Sequence, residues 1–108
     1  MEGYGHVSAA ELLRLIEAGE IEGSQIIDVR ETFEREYYGL DDSAHIPMNE
    51  IPRRLGELND DAPLYIVCAH GVRSEAVCRY LQEQGYGGLL NVEGGMAAIA
   101  LLKGFQYD

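Results

Sequence analysis

Short apolar runs alternate along this chain with segments whose apolar residues recur at helical spacing. Gln25-Ile26-Ile27-Asp28-Val29, after Gly23, and Leu64-Tyr65-Ile66-Val67, after Pro63, are too evenly apolar to present one face to water. Runs of that kind read as buried parallel strands. Leu89-Leu90-Asn91-Val92 reads as a last strand, and Ala44-His45-Ile46-Pro47 as a very short strand or extended segment. Helices lie between them. Ser8 precedes the periodic set Leu12, Leu13, Leu15 and Ile16, Glu11 completes a capping-box pattern, and Gly19 ends the helix. Arg30 to Tyr38 predicts a short charged helix with Phe33 and Tyr37 on one face, and Gly39 to Ser43 a loop. Glu50 to Leu58 predicts a helix closed by Asn59-Asp60-Asp61. Ser74 starts a helix with Ala76, Val77, Tyr80 and Leu81 on one side, ending near Gly85. Gly94-Gly95 turns into a final apolar helix, Met96 to Leu102. No element is assigned before Ser8. Strands alternating with helices predict an α/β fold, a mostly parallel sheet of about five strands with helices on both faces.

A length of 108 residues, 46% of them apolar, fits one domain over 1–108 with its own core. Eight basic residues stand against 19 acidic ones, a net charge of -11. That balance opposes binding to nucleic acid or to an anionic membrane surface, because both depend on Lys and Arg. No run approaches the roughly 20 apolar residues that span a bilayer. Met-Glu-Gly-Tyr-Gly-His is not a basic region leading into an apolar run, so no signal peptide is expected and a cytoplasmic monomer is the default. Two cysteines, Cys68 and Cys78, are too few for a disulfide scaffold. His6, His45 and His70 are far apart and no Cys-x-x-Cys pair exists, so no metal site is expected.

The chemistry concentrates in Cys68-Ala69-His70-Gly71-Val72-Arg73-Ser74, between the end of a strand and the start of a helix. Ligands of such sheets bind beyond the carboxyl ends of the strands. The first amides of a helix have no internal partners, and the helix dipole adds partial positive charge there. Arg73 adds a full charge. Thiols in such places fall to roughly 3.5–7.5 and react as thiolates. Gly71 permits a tight turn that aims successive N–H groups at one anion. Arg73 can hold an oxyanion with its two-pronged guanidinium. Ser74 suits an N-cap or a hydroxyl donor to the sulfur. His70 supplies charge or a proton, or is simply an exposed loop residue. Cys78, beside Val77 and Leu81, reads as a buried, inert thiol, with a resolving thiol as the alternative.

The loop resembles the rhodanese active-site loop: a cysteine, four residues, then Arg and Ser. Ile27-Asp28-Val29-Arg30 is similar to the family's Asp-Val-Arg signature, and Glu36-Tyr37 followed by Gly39 to the segment before its Gly-His-Ile. Ala44-His45-Ile46-Pro47 resembles its Ala-x-x-Ile-Pro piece, and Asn91-Val92-Glu93-Gly94-Gly95-Met96 its Gly-Gly turn. The resemblance runs from about Val7 to Leu102. Gly39-Leu40-Asp41-Asp42-Ser43 departs from the family's Gly-His-Ile, and Ala98-Ile99 stands where Ala-Trp is usual. The resemblance implies a rhodanese-like three-layer fold and a sulfurtransferase. Its Cys68 thiolate takes sulfane sulfur from thiosulfate or a persulfide and hands it to cyanide or a thiol, without a cofactor. Asp28 and Arg30 either support the site or form an ion pair that fixes the strand end.

Two alternatives stand beside this reading. A phosphatase or arsenate reductase of this architecture uses five residues between Cys and Arg; here there are four, Ala69 to Val72. A sulfur carrier that relays sulfur to a protein acceptor needs the same cysteine. The acidic background favours it, since thiosulfate is a dianion.

Overall fold

The computed structural model describes residues 3–107; Met1, Glu2 and Asp108 of the expected domain lie outside the described residues. Five parallel strands make one sheet in the order β1-β5-β4-β2-β3. They are β1 (Gly5–Ser8), β2 (Ile26–Asp28), β3 (Ala44–His45), β4 (Leu64–Val67) and β5 (Leu89–Glu93). Among the described residues, the four α-helices are α1 (Ala9–Glu17), α2 (Thr32–Tyr37), α3 (Val72–Glu83) and α4 (Gly95–Leu102). The middle strand, β4, is buried along its whole length, as its unbroken apolar run requires. Successive side chains alternate between two cores. Ile27, Ile66 and Leu89 pack with Val77, Cys78 and Leu81 of α3. Ile26, Tyr65, Val67 and Val92 pack with Leu12 of α1 and with Met96 and Ile99 of α4.

Several elements differ from their sequence readings. β1 carried no signal: Val7 is its one buried residue, and the strand exists by pairing Gly5–Ser8 with Leu90–Glu93 at the sheet edge. The helix expected over 50–58 is a 3-10 segment, Met48–Glu57, with a break at Arg54. Pro52 lacks an N–H, and Ile51 is the segment's one fully buried anchor, so little holds an α-helical register there. The capping box at α1 is half formed. Ser8 accepts from the Glu11 amide, while the Glu11 carboxylate turns to Arg14. The short helix expected over 30–38 is present as α2 but narrower, Thr32–Tyr37, with Phe33 and Tyr37 71% and 55% exposed. The helix expected from Ser74 begins at Val72, so Ser74 lies inside its first turn and is not its N-cap. In the 39–43 loop, Leu40 turns inward and the Ser43 amide closes a tight turn on its carbonyl.

Candidate active site: the loop from Cys68 to Ser74

β4 ends at Val67 and delivers Cys68 to the carboxyl edge of the sheet, beneath the first turn of α3. Gly71, at φ +101°, reverses the chain so that its amide donates to Cys68 Sγ at 3.0 Å. Residues with a Cβ rarely adopt that backbone angle. Ser74 Oγ lies 3.3 Å from the same sulfur. A second helix start fixes the backbone beneath. Met96 and Ala97 of α4 donate to the carbonyls of Cys68 and Ala69 at 2.7 and 3.0 Å. Gly95 makes this approach possible, because a methyl there would sit 2.5 Å from the Cys68 carbonyl oxygen. One helix start therefore faces the sulfur and the other anchors the peptide that carries it.

Burial pushes the Cys68 thiol up, but hydrogen bonding with the Ser74 side chain and with the amides of Ser74, Gly71 and His70 outweighs it. The net shift is downward, toward the thiolate. The cations of the loop are arranged otherwise than the sequence reading expected. Arg73 does not hold out its fork to an incoming oxyanion; both prongs are on the Glu34 carboxylate, at 2.8 and 2.9 Å. This pair holds the Glu34 carboxyl down at about 2 against its partial burial. Arg30 is fully buried, and its five N–H groups are all used. They reach both Asp28 carboxylate oxygens, the carbonyls of Glu34 and Tyr38, and the Tyr107 hydroxyl. Asp28 and Arg30 are thus an ion pair at the end of β2 that ties down α2 and the C-terminal segment, with no donor left for a ligand.

Ala69 is buried, whereas His70 and Val72 are exposed. The His70 ring meets Tyr107 edge-on at 6.0 Å. A cavity of about 230 Å³ opens beside the loop, lined by His6, His70, Gly71, Glu75, Asn91 and Glu93 among others. Cys78 is fully buried within α3, and burial pushes its thiol up to about 12. Among the described residues, no cluster of three or more His, Cys, Asp or Glu is placed to hold a metal ion. Two residues at the site escaped the sequence reading. Glu34 was legible in retrospect: it follows Glu31 by three residues, and the two form a capping box at α2 that aims Glu34 at Arg73. Tyr107, beyond the last helix, carried no pattern.

This geometry agrees with the comparisons. The rhodanese-like domain family matches residues 8–101, and the chain belongs to that family. It is 39% identical over 75 residues to a sulfurtransferase of Allochromatium vinosum, covering 69% of this chain and 70% of that protein. To the thiosulfate sulfurtransferase GlpE of Shewanella oneidensis it is 29% identical over 98 residues, covering 91% and 94%. Among solved structures, a rhodanese-like domain protein from Staphylococcus aureus superposes with a TM-score of 0.79 at 38% identity, covering 88% of this chain and 90% of that one. Family and relatives together support a sulfurtransferase or sulfur-carrier role. No helix among the described residues is long and apolar enough to cross a membrane.

Proposed function

We propose that this protein is a single-domain sulfurtransferase, spanning 1–108, whose working group is the Cys68 thiolate. The observation that carries the reading is the Cys68 sulfur held by the Gly71 amide at 3.0 Å at the start of α3. The thiolate attacks the outer sulfur of a donor; with thiosulfate the S–S bond breaks and sulfite leaves with the electron pair. The new Cys68–S–S⁻ is held by the amides of the loop from Ala69 to Ser74. A thiolate or cyanide then attacks the terminal sulfur and regenerates the Cys68 thiolate, a two-step covalent exchange. Four residues between Cys68 and Arg73 make a ring suited to one added sulfur rather than to a tetrahedral oxyanion. Two unpaired thiols suit a reducing compartment, and the cytoplasm is the proposed place of work.

The site favours persulfide donors, small or protein-borne, over thiosulfate. Arg73 is neutralised by Glu34 and Arg30 by Asp28, in a chain of net charge -11. A dianion approaching Cys68 therefore meets little uncompensated positive charge. The test is intact-mass analysis after exposure to thiosulfate or to a low-molecular-weight persulfide. A gain of about 32 Da, one sulfur atom, is expected, absent in Cys68→Ser and retained in Cys78→Ser. A gain that follows Cys78 would overturn the site assignment, and faster loading from thiosulfate than from persulfide would overturn the donor preference.

A further inference from the structure

Ser74 faces two partners and has one hydrogen to offer. Its Oγ lies 3.3 Å from Cys68 Sγ and also donates to Asn91 Oδ1 in a short bond. Cys68, Ser74 and Asn91 are all buried, at 1%, 0% and 3% exposure. While that hydrogen points at Asn91, Ser74 can only accept from the sulfur, so this arrangement fits the protonated thiol. A thiolate or persulfide anion accepts only, and it needs the Ser74 hydrogen for itself. Turning the hydroxyl toward sulfur would strip the buried Asn91 carbonyl of its donor, an expensive loss in such a place. Strand register supplies the remedy. Asn91 of β5 is paired with His6 of β1, which puts their side chains on one face, and Asn91 Nδ2 lies 3.5 Å from His6 Nδ1.

We propose that Asn91 is a positioning residue for the anionic sulfur: its amide turns over when Cys68 loses its proton or carries sulfur. After the turn, Nδ2 donates to Ser74 Oγ, Ser74 donates to the sulfur, and Asn91 Oδ1 accepts from a hydrogen on His6 Nδ1. The hydrogens balance. The Cys68 proton leaves to solvent, the Ser74 hydrogen only rotates, and the His6 ring hydrogen moves from Nε2 to Nδ1 through water. His6 is exposed at the cavity beside the loop, so that exchange has access to solvent. An amide is the side chain this task needs, because it offers a donor and an acceptor at equal reach. Other ionisable groups surround the chain of bonds. Glu75, Glu93 and His70 line the cavity with His6, and the Tyr4 hydroxyl donates to Glu75. The Arg73–Glu34 pair, Cys78 and Tyr107 lie around Cys68 and its loop.

The inference rests on Cys68 as the working thiol, but its readout is ionisation and needs no turnover. The pH profile of Cys68 alkylation by iodoacetamide would be measured in the natural protein, Ser74→Ala, Asn91→Asp and the double variant, each checked for folding by melting. A carboxylate at 91 can accept from Ser74 and never donate back. Asn91→Asp should therefore raise the alkylation midpoint by about one pH unit, roughly tenfold in the ionisation equilibrium. In the Ser74→Ala background less than half of that shift should remain, from the charge alone. Equal shifts in both backgrounds would overturn the proposal. If Asn91→Asp fails to fold, ¹⁵N NMR of His6 in the natural protein replaces it. The hydrogen should move to Nδ1 as Cys68 ionises and stay put in Cys68→Ser; a tautomer indifferent to Cys68 would be equally fatal. Failure of the sulfurtransferase reading looks different: no sulfur gain, with this ionisation pattern intact.

Discussion

Cys68 and Cys78 are both buried free thiols, 1% and 0% exposed, and they belong to the same apolar cluster against α3. Their chemistry nevertheless diverges. Cys68 is pulled below its ordinary value although burial pushes the other way, while burial drives Cys78 up to about 12, with the Glu75 charge adding to it. Depth is the same in both; what differs is the direction of the nearby amides. Cys68 sits where a helix begins and its N–H groups lack partners, and Cys78 sits mid-helix, where those groups are already bonded along the helix. Burial alone therefore says little about a cysteine's reactivity. Its place relative to a helix start says much more.

The largest effect should come from alkylating both thiols in one sample. Near pH 8, peptide mapping should find Cys68 modified at least about a hundredfold faster than Cys78, even allowing for the lower nucleophilicity of a more acidic thiol. In urea the two should level, and a preference surviving unfolding would mean that local sequence, not the fold, sets it. Gly95→Ala comes next. Its methyl would strike the Cys68 and Ala69 carbonyls at a glycine already held at φ +62°. A loss of roughly 3 kcal/mol or more is expected from chemical denaturation, with Cys68 alkylation slowed and Cys78 unaffected.

Glu34→Gln sharpens the electrostatic side of the comparison. It should lower stability by about 1–2 kcal/mol at neutral pH and raise the relative turnover of thiosulfate roughly tenfold, as Arg73 becomes available. The Glu34 carboxyl is lowered from 4.5 to about 2, so its contribution to stability is present above 4.5 and lost as pH falls toward 2. The variant should lack that part of the acid transition. The smallest effect belongs to Cys78→Ala, about 1 kcal/mol from the small cavity it leaves, with sulfur loading on Cys68 intact. Because Cys78 is raised, it favours the folded state fully below the unfolded thiol's pKa, and that support is lost as pH climbs from 9 toward 12. Alkaline melting curves should be flatter in Cys78→Ala.

The order of elements was legible because buried parallel strands and amphipathic helices write different periodicities. Leu64 to Val67 and the helix around Val77 and Leu81 show this directly. β1 was not legible, since Gly5-His6-Val7-Ser8 contributes one core side chain and owes its strand form to β5. In the candidate site, the spacing from Cys68 to Arg73 and the turn at Gly71 could be read from local chemistry. The position of Ser74 within the first turn could not, because a glycine at positive φ started the helix two residues early.

By itself, then, the sequence determined an α/β chain with a cysteine at a strand-to-helix junction and an arginine after four intervening residues. Those features depend on residues near one another along the chain. Tertiary structure decided where the charges go. Arg73 meets Glu34 from across the sheet edge, Arg30 gathers partners as distant as Tyr107, and Asn91 stands between Ser74 and His6. A side chain's charge is written in its own identity. Whether that charge or hydrogen is free to meet a ligand depends on partners the fold brings from elsewhere.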